Sequence, residues 1–491
     1  MLLTKHIKMK GDLLMENIIQ QIVTETAINF LNYFEVNGLT SLDKMTGDLK
    51  SISDGMAVQA LAAFIESADN SICDAKKERK QDGVKVHQRN VSRTLFTALG
   101  YFTYNRTYFD TEVGKVYLLD NILGVNPYDR IDAGVSARLV NTAAMYSYGR
   151  SASIVSGDNI SRQSAWNKAM NTGEVAYIPK RIDCTPGTIH IFADEDHVSL
   201  QDGTNTIVTL VTVCAGKQHV SRGRNELIEP FHVQGYGMDK DSMWEYVYAL
   251  CAEKFDMNIV DNVFIYGDGA AWIKGGMDVF SNAIYSLDTF HFRKRMRSLF
   301  SGDIGSKYTL KAFAAVSSDD KTSFEETANA MSLALLESMP EGRAKERKTK
   351  RINDNIGYIS NNWDAIQNSR LPGIIGSCTE AMISHVLSER LSRNPMGWSK
   401  KGLSKMAMVR VYVLNGGVVS PADTVSWKHS DRRNRVADKI EKYDNIVKLQ
   451  HEDVFKNVKS WRWFERDNMI SGKTSGTKVV LDALGKLRNV S

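Results

Sequence analysis

The feature that most limits what this chain can fold into lies between residues 186 and 290, where short apolar segments alternate with turn signals and one helical pattern. TIHIFA (188–193), TIVTLVTVC (206–214) and LIEPFHV (227–233) read as three successive strands, rich in β-branched residues and separated by Gly- and Asp-containing breaks. DSMWEYVYALCAEKF (241–255) repeats its apolar residues at helical spacing, and NVFIYG (262–267) and NAIYSL (282–287) return to strand. Strands followed by helices bury both faces of a sheet, so the segment is an α/β unit. Asp194, Asp268 and Asp288 each follow the last residue of such a strand.

In open α/β sheets reactive groups gather at strand ends, where the backbone direction is fixed and the side chain is free. Asp194 and Asp268 are 74 residues apart, enough for two strands and a helix to bring them side by side. Glu380, near the start of the helical segment GSCTEAMISHVLSERLS (376–392), supplies a third carboxylate. Three converging carboxylates repel one another unless cations neutralise them. Two divalent ions are the usual answer in phosphodiester chemistry. Mg2+ suits such hard oxygen donors, with Mn2+ able to substitute. Each acid also has a plainer reading. Asp194-Glu195-Asp196 is an acidic run of the kind found in solvated turns, and Asp268-Gly269 is a common turn dipeptide. Ser377–Glu380 fits a capping box. Asp194 and Asp196 share one face by strand alternation; Asp194 is nearer the strand end and is the one assigned.

The strand order, three extended strands and then helix and strand, resembles that of a ribonuclease H-like core. The flanks are different in kind. Residues 1–84 form a helical region on the strength of ENIIQQIVTETAINFLNYF and DGMAVQALAAFIESAD. Residues 85–128, containing RTLFTALGYFTYNRTYFDTEVGKVYLL, read as a small antiparallel sheet whose Arg89, Arg93 and Arg106 face either phosphates or solvent. In residues 129–175 a short helix ends near Ser156, Gly157-Asp158-Asn159 turns, and Ser161 caps a second helix presenting Arg162, Gln163 and Lys168. That is the layout of a helix-turn-helix, which is also common in helical domains that never meet DNA. Residues 185–290 with 372–398 make the catalytic core, 291–371 are mainly helical and polar, and 399–491 form a basic region.

Charge sharpens this division. The whole chain is only +5, yet the part after residue 398 carries an excess of nine positive charges. A basic tail on a near-neutral body suits contact with a polyanion or, equally, a solvated helical surface. The notable basic runs are GRAKERKTKR (342–351), DRRNR (431–435) and the aromatic–basic WRWF (461–464). Five scattered cysteines without metal-ligand spacing read as reduced structural thiols of a cytoplasmic protein. No stretch has the length of a membrane span, and the first residues lack a signal core. Met15 is a plausible second start. A glycosidase would also use paired carboxylates, but the basic tail and the absence of an aromatic-rich sugar platform disfavour it.

RTLFTALGYFTYNRTYFD (93–110), IFADEDHVSLQ (191–201), FIYGDGAAWIKGG (264–276), LDTFHFRKRM (287–296) and GSCTEAMISHVLSERLSRNPMGWS (376–399) together carry a further signal. Through them the chain resembles the ISLre-type bacterial insertion-sequence transposases, long catalogued as an uncharacterised protein family and distantly similar to Mutator-like DDE transposases. The resemblance runs over nearly the whole chain from about Met15. It implies a ribonuclease H-like core with a helical insertion between the second and third acids, and the triad Asp194, Asp268 and Glu380 as catalytic metal ligands. It gives Asp288 and His291 accessory roles as a D-x-x-H element; a half-buried structural histidine is the equal alternative. Arg293 and Arg297, one helical turn apart, are assigned to phosphates of the transposon end, with an exposed basic helix face as the plainer alternative. Trp272 and Trp398 are either base-stacking or core residues. The implied partners are terminal inverted repeats and target DNA, bound by a homo-oligomer associated with the nucleoid. A nuclease that cuts without joining and a non-catalytic DNA-binding derivative are the competing expectations.

Overall fold

Two long helices open the chain, α1 (Leu2–Asn37) and α2 (Leu42–Asp74), followed by the short α3 (Lys76–Gln81). The structure is a computed structural model that describes residues 2–394, 396–424 and 437–459. An antiparallel sheet follows, β1 (Lys85–Thr97), β2 (Gly100–Thr111) and β3 (Gly114–Val116), in that order. Its inner face, Leu95, Phe102, Tyr104 and Phe109, packs on Ile65, Ile72 and Cys73 of α2. Arg106 does not face a phosphate. It is buried beneath Tyr117 and ion-paired with Asp120, because the alternation of β2 points it into this core. Arg93 is likewise engaged, donating to the Asn126 carbonyl at 3.0 Å and to that of Asp129.

After α4 (Leu118–Ile122) come three helices, α5 (Ala133–Met145), α6 (Tyr148–Ser156) and α7 (Arg162–Asn171). Gly157, left-handed at φ 55°, ends α6, and the Ser161 hydroxyl accepts from the Ser164 amide at 3.1 Å to start α7. Val135, Leu139, Ala152, Ile160 and Ala165 form their common core. Arg162 and Gln163 are exposed on α7, whereas Lys168 turns back to Asp129 at 3.5 Å.

The central sheet contains β4 (Thr188–Ser199), β5 (Asn205–Cys214), β8 (Phe231–Gln234), β9 (Asn262–Gly267) and β10 (Ala283–Leu287); a hairpin of β6 (Gly216–Ser221) and β7 (Arg224–Ile228) projects beside it. The expected strand 227–233 is therefore two strands, broken at Glu229, whose φ is 50°. Strand order is β10-β9-β4-β5-β8. β4, β5 and β8 meander antiparallel, while β9 and β10 run parallel to β4. The strand carrying Asp194 does not end there. β4 loses its β9 partner after Phe192 but stays paired with β5 through Ser199, so the acidic run lies in a strand rather than a turn.

One face of this sheet carries α8 (Lys240–Lys254), with α9 (Ala271–Lys274) and α10 (Gly276–Val279) between β9 and β10. Beyond β10 come α11 (Thr289–Leu299), α12 (Gly302–Ser317), α13 (Lys321–Glu337), α14 (Arg343–Asn361) and α15 (Trp363–Asn368). Ala312, Phe324, Ile352, Ile359 and Trp363 from these helices share a continuous core with Ile191, Val263 and Ile265 of the sheet. Trp272 belongs to it, and Trp398 is buried with Leu387 and Leu403; at 4% and 5% exposure both are packing residues and not stacking platforms.

The chain then returns through α16 (Thr379–Met382), a π-helical turn (Ile383–Ser388) and α17 (Glu389–Leu391). Of the region after residue 399, the described helices pack against the rest of the protein. Leu403, Met406 and Val411 of α18 (Lys400–Leu414) pack on Val198, Val208 and Leu210 of the sheet. Tyr443 of α19 (Ala437–Lys459) is buried against the N-terminal helices and β1–β2, and Lys442 pairs with Asp82 at 2.8 Å. DRRNR and WRWF lie outside the described residues. No helix among the described residues is long and apolar enough to cross a membrane.

Candidate functional site

The acids meet because of strand register. β4 and β9 pair from Thr188 opposite Asn262 to Phe192 opposite Tyr266, and two further steps set Asp194 opposite Asp268. β10 pairs with β9 up to Leu287 opposite Gly267, so the next step sets Asp288 opposite Asp268 on the other side. Three neighbouring parallel strands thus deliver three carboxylates to one edge. Gly267 makes the close approach possible, since a Cβ there would lie 2.7 Å from Ile273 Cδ1 and 3.2 Å from the Ala193 carbonyl oxygen.

Each acid is held differently. Asp194 is half-buried and accepts the Glu195 amide at 2.8 Å. Burial pushes its carboxyl up to about 6, with the charges of Asp268 and Glu380 adding and the Glu195 amide and His291 opposing. Asp268 begins a turn, accepting the Ala270 amide at 2.9 Å, and Gly269 follows at φ +98°, a conformation natural only to glycine. The Tyr358 hydroxyl of α14 donates to the Asp268 carbonyl, so the helical segment between the second and third acids touches the second one directly.

Asp288 is buried and caps α11, accepting the Phe290 amide at 2.7 Å. Its other oxygen accepts the Ser377 hydroxyl at 2.8 Å and the Thr379 hydroxyl. Burial opposes its charge, but His291, Thr379, Ser377 and the Phe290 amide together outweigh it and hold the carboxyl below its usual range. Asp288 is thus the anchor that fixes the 377–379 segment and, through it, Glu380. The Ser377 hydroxyl serves this anchor and also accepts the Thr379 amide at 3.3 Å, one residue short of the Glu380 amide that a capping box would use.

His291 joins the ends of the cluster, with Nδ1 3.7 Å from Asp288 and Nε2 3.7 Å from Glu380. Its Nδ1 is buried without a hydrogen-bond partner. The Asp288 carboxylate raises its pKa against burial, and Asp194 and Asp268 add to the rise. The Glu380 side chain is 52% exposed at the rim of the cluster. Asp196, on the same face of β4, is engaged by a different partner. It is buried, with its carboxylate held by the Ser392 hydroxyl at 2.9 and 3.0 Å, which separates it from Asp194. Arg293 and Arg297 are exposed on α11, leading away from the acids.

Among the described residues no three His, Cys, Asp or Glu side chains already enclose a common point as a metal cage does. The donor chemistry nevertheless fits hard divalent ions. Asp194, Asp268 and Glu380 offer only oxygens, and Asp194 is a desolvated carboxyl whose ionisation a nearby cation would favour. The sequence pattern did not reveal Tyr358, which lies 90 residues from its partner. Ser377 was visible only as a capping-box partner of Glu380, and Thr379 carried no signal of its own.

A model of the Uncharacterised protein family (UPF0236) matches residues 35–429. The chain belongs to the UPF0236 family. Among curated members, three UPF0236 proteins of Caldanaerobacter subterraneus subsp. tengcongensis are similar to it. One is 32% identical over 82% of this chain and 85% of its own. Another is 31% identical over 82% of both, and a third 32% identical over 77% and 79%. The UPF0236 match spans the central sheet, all the acids and α18, and stops before α19.

Proposed function

We propose that this UPF0236 protein is an insertion-sequence DNA transposase that hydrolyses a phosphodiester at the element end and then joins the freed 3′-hydroxyl to target DNA. The observation that carries the reading is the gathering of Asp194, Asp268 and Asp288 by three adjacent parallel strands, with Glu380 brought beside them through His291. The sheet order, an antiparallel meander followed by two parallel strands on the far side of the first, supports a ribonuclease H-like core. The sequence resemblance to ISLre-type transposases supports the same assignment.

Asp194, Asp268 and Glu380 would hold two Mg2+ ions, which when bound lower the pKa of an attacking water or 3′-hydroxyl and stabilise the leaving oxygen. Asp288 orients His291 and locks the Glu380 segment. His291, whose proton affinity Asp288 raises, stands between Asp288 and Glu380 where a proton on it would balance the charge of Glu380. The helix pair α6–α7, with Arg162 and Gln163 exposed, would read terminal repeats, and Arg293 and Arg297 would hold phosphates. Synapsis of two ends requires a homo-oligomer on DNA.

The test is a cleavage and joining assay on duplexes carrying the element's own termini, with Mg2+ or Mn2+, comparing wild type with Asp268→Asn and Glu380→Gln. Metal-dependent nicking and joined product, both lost in the variants while DNA binding persists, is the expected result. Nicking without joining would instead make the protein a nuclease. Binding with neither would make it a non-catalytic derivative.

A further inference from the structure

Trp272 and Trp398, the tryptophans that the sequence offers as stacking candidates, are buried, so neither can meet a base. A different aromatic stands open at the site. Phe290, the second residue of α11, is 51% exposed although it adjoins His291, whose ring meets it edge-on at 5.5 Å. Its backbone is pinned, since its amide donates to Asp288. Lys294 lies one turn on, with its ammonium 5.8 Å from the ring centroid. Positions 290, 293, 294 and 297 share one helical face, and Arg293, Lys294 and Arg297 are all exposed. Arg295, off this stripe, is committed to Tyr358 and Asn355. The stripe therefore begins with a fixed aromatic beside the carboxylates and continues as three cations.

An exposed apolar ring at the head of a helix of otherwise cationic surface gains nothing from water. Its surroundings suit one ligand class: an unpaired nucleotide, whose base has a π-face for the ring and whose phosphates suit the cations. We propose that Phe290 is the stacking platform for an unpaired base next to the scissile phosphate, with Arg293, Lys294 and Arg297 following that strand's backbone. The inference rests on the DNA reading of the site and deepens it: the substrate is engaged as a locally unpaired end and not as intact duplex. The acids are thereby reached by a phosphate flanking a base lifted from its stack.

The test measures binding of the full chain, with Ca2+ in place of Mg2+, to a blunt duplex and to the same duplex with a single-stranded extension bearing 2-aminopurine at its first unpaired position. Wild type should prefer the extended duplex and quench the 2-aminopurine. Phe290→Ala should weaken binding to the extended duplex by about 10- to 100-fold, leave blunt-duplex binding within about twofold, and abolish the quench. Phe290→Trp should restore both, while Phe313→Ala, which removes another exposed phenylalanine, should change neither. Duplex binding by wild type with no preference for the extension, or an intact quench in Phe290→Ala, overturns the platform and leaves the DNA reading standing. No binding to either DNA overturns both. Unchanged thermal melting of Phe290→Ala would show that the loss is not one of folding.

Discussion

Gly267→Ala tests the claim that the acids are brought together by the spacing of β4 and β9. Gly267 is the last residue of β9 and does not require a positive φ, so the substitution introduces crowding without backbone strain. The new methyl would lie 2.7 Å from Ile273 Cδ1, 2.8 Å from Ile273 Cγ2 and 3.2 Å from the Ala193 oxygen. Carbon pairs are comfortable at about 3.5–4.0 Å, so Ile273 must retreat by roughly 1 Å. Ile273 is fully buried in the central core and has little room to do so. Overpacking of this kind costs about 1–3 kcal/mol. The alternative, separation of β9 from β4, displaces Asp268 from Asp194 directly. Thermal melting and DNA cleavage of Gly267→Ala should both fall. Ile273→Val removes the nearest clashing atom at a cost of its own of about 0.5–1.5 kcal/mol. The double variant should be more stable than the sum of the two single effects by about 1 kcal/mol. Strict additivity, or a Gly267→Ala protein with wild-type melting and cleavage, would refute the reasoning.

Other consequences can be checked separately. His190 is buried against Phe264 and Tyr266, and burial pushes its pKa down to about 4 from 6.5. The unfolded chain takes up this proton first, so the stability that neutral His190 confers is complete above pH 6.5 and is lost as pH falls through 4. The loss is about 3 kcal/mol at most; denaturant melts from pH 7 to 4 should show a shallower decline in His190→Gln. Arg410 is buried and donates to the carbonyls of Ala144, His385 and Val386, tying α5 to the π-helical turn. Arg410→Met should therefore destabilise by about 3 kcal/mol or more, read by denaturant titration, because it strands buried acceptors. Asp288→Asn should retain the fold but reduce cleavage, since it weakens the hold on Thr379 and leaves Glu380 less fixed; near-normal rates in Asp288→Asn would remove its anchoring role. DNA affinity should fall steeply with salt, and Arg293→Ala with Arg297→Ala should lower the slope of log affinity against log salt by about two.

The strands of the central sheet were legible because each is a short β-branched run bounded by turn residues, and β9 and β10 end where those patterns end. The pattern failed where pairing partners decide the outcome. β4 continues past Asp194 because β5 is long enough to pair with it, and no local signal in the acidic run announces that. The hairpin β6–β7, apart from Leu227 and Ile228, was missed because its residues are mostly exposed and lack apolar alternation. The tail read as a separate basic unit because its charges dominate its composition. Leu403, Met406, Val411 and Tyr443 seat its described helices, α18 and α19.

The acids themselves show the same division between local and distant information. Asp268 and Asp288 could be placed from their strands alone, and register makes them neighbours. Asp194 could not be separated from Asp196 by alternation, because both project from one face of β4. The separation comes from Ser392, almost 200 residues downstream, whose hydroxyl occupies the Asp196 carboxylate. Glu380 likewise owes its position to Asp288, through Ser377 and Thr379, and not to its own short helix. A segment inserted between the second and third acids is therefore free to grow only if it preserves two contacts: Tyr358 on the Asp268 turn, and the Ser377–Thr379 clasp on Asp288. Lengthening the loop between α13 and α14 should accordingly be tolerated, whereas Tyr358→Phe, which keeps the ring and removes only the hydroxyl, should loosen the Asp268 turn and lower cleavage without a comparable loss of melting temperature. Equal losses in both measurements would make Tyr358 a packing residue and dissolve the link between the inserted helices and the site.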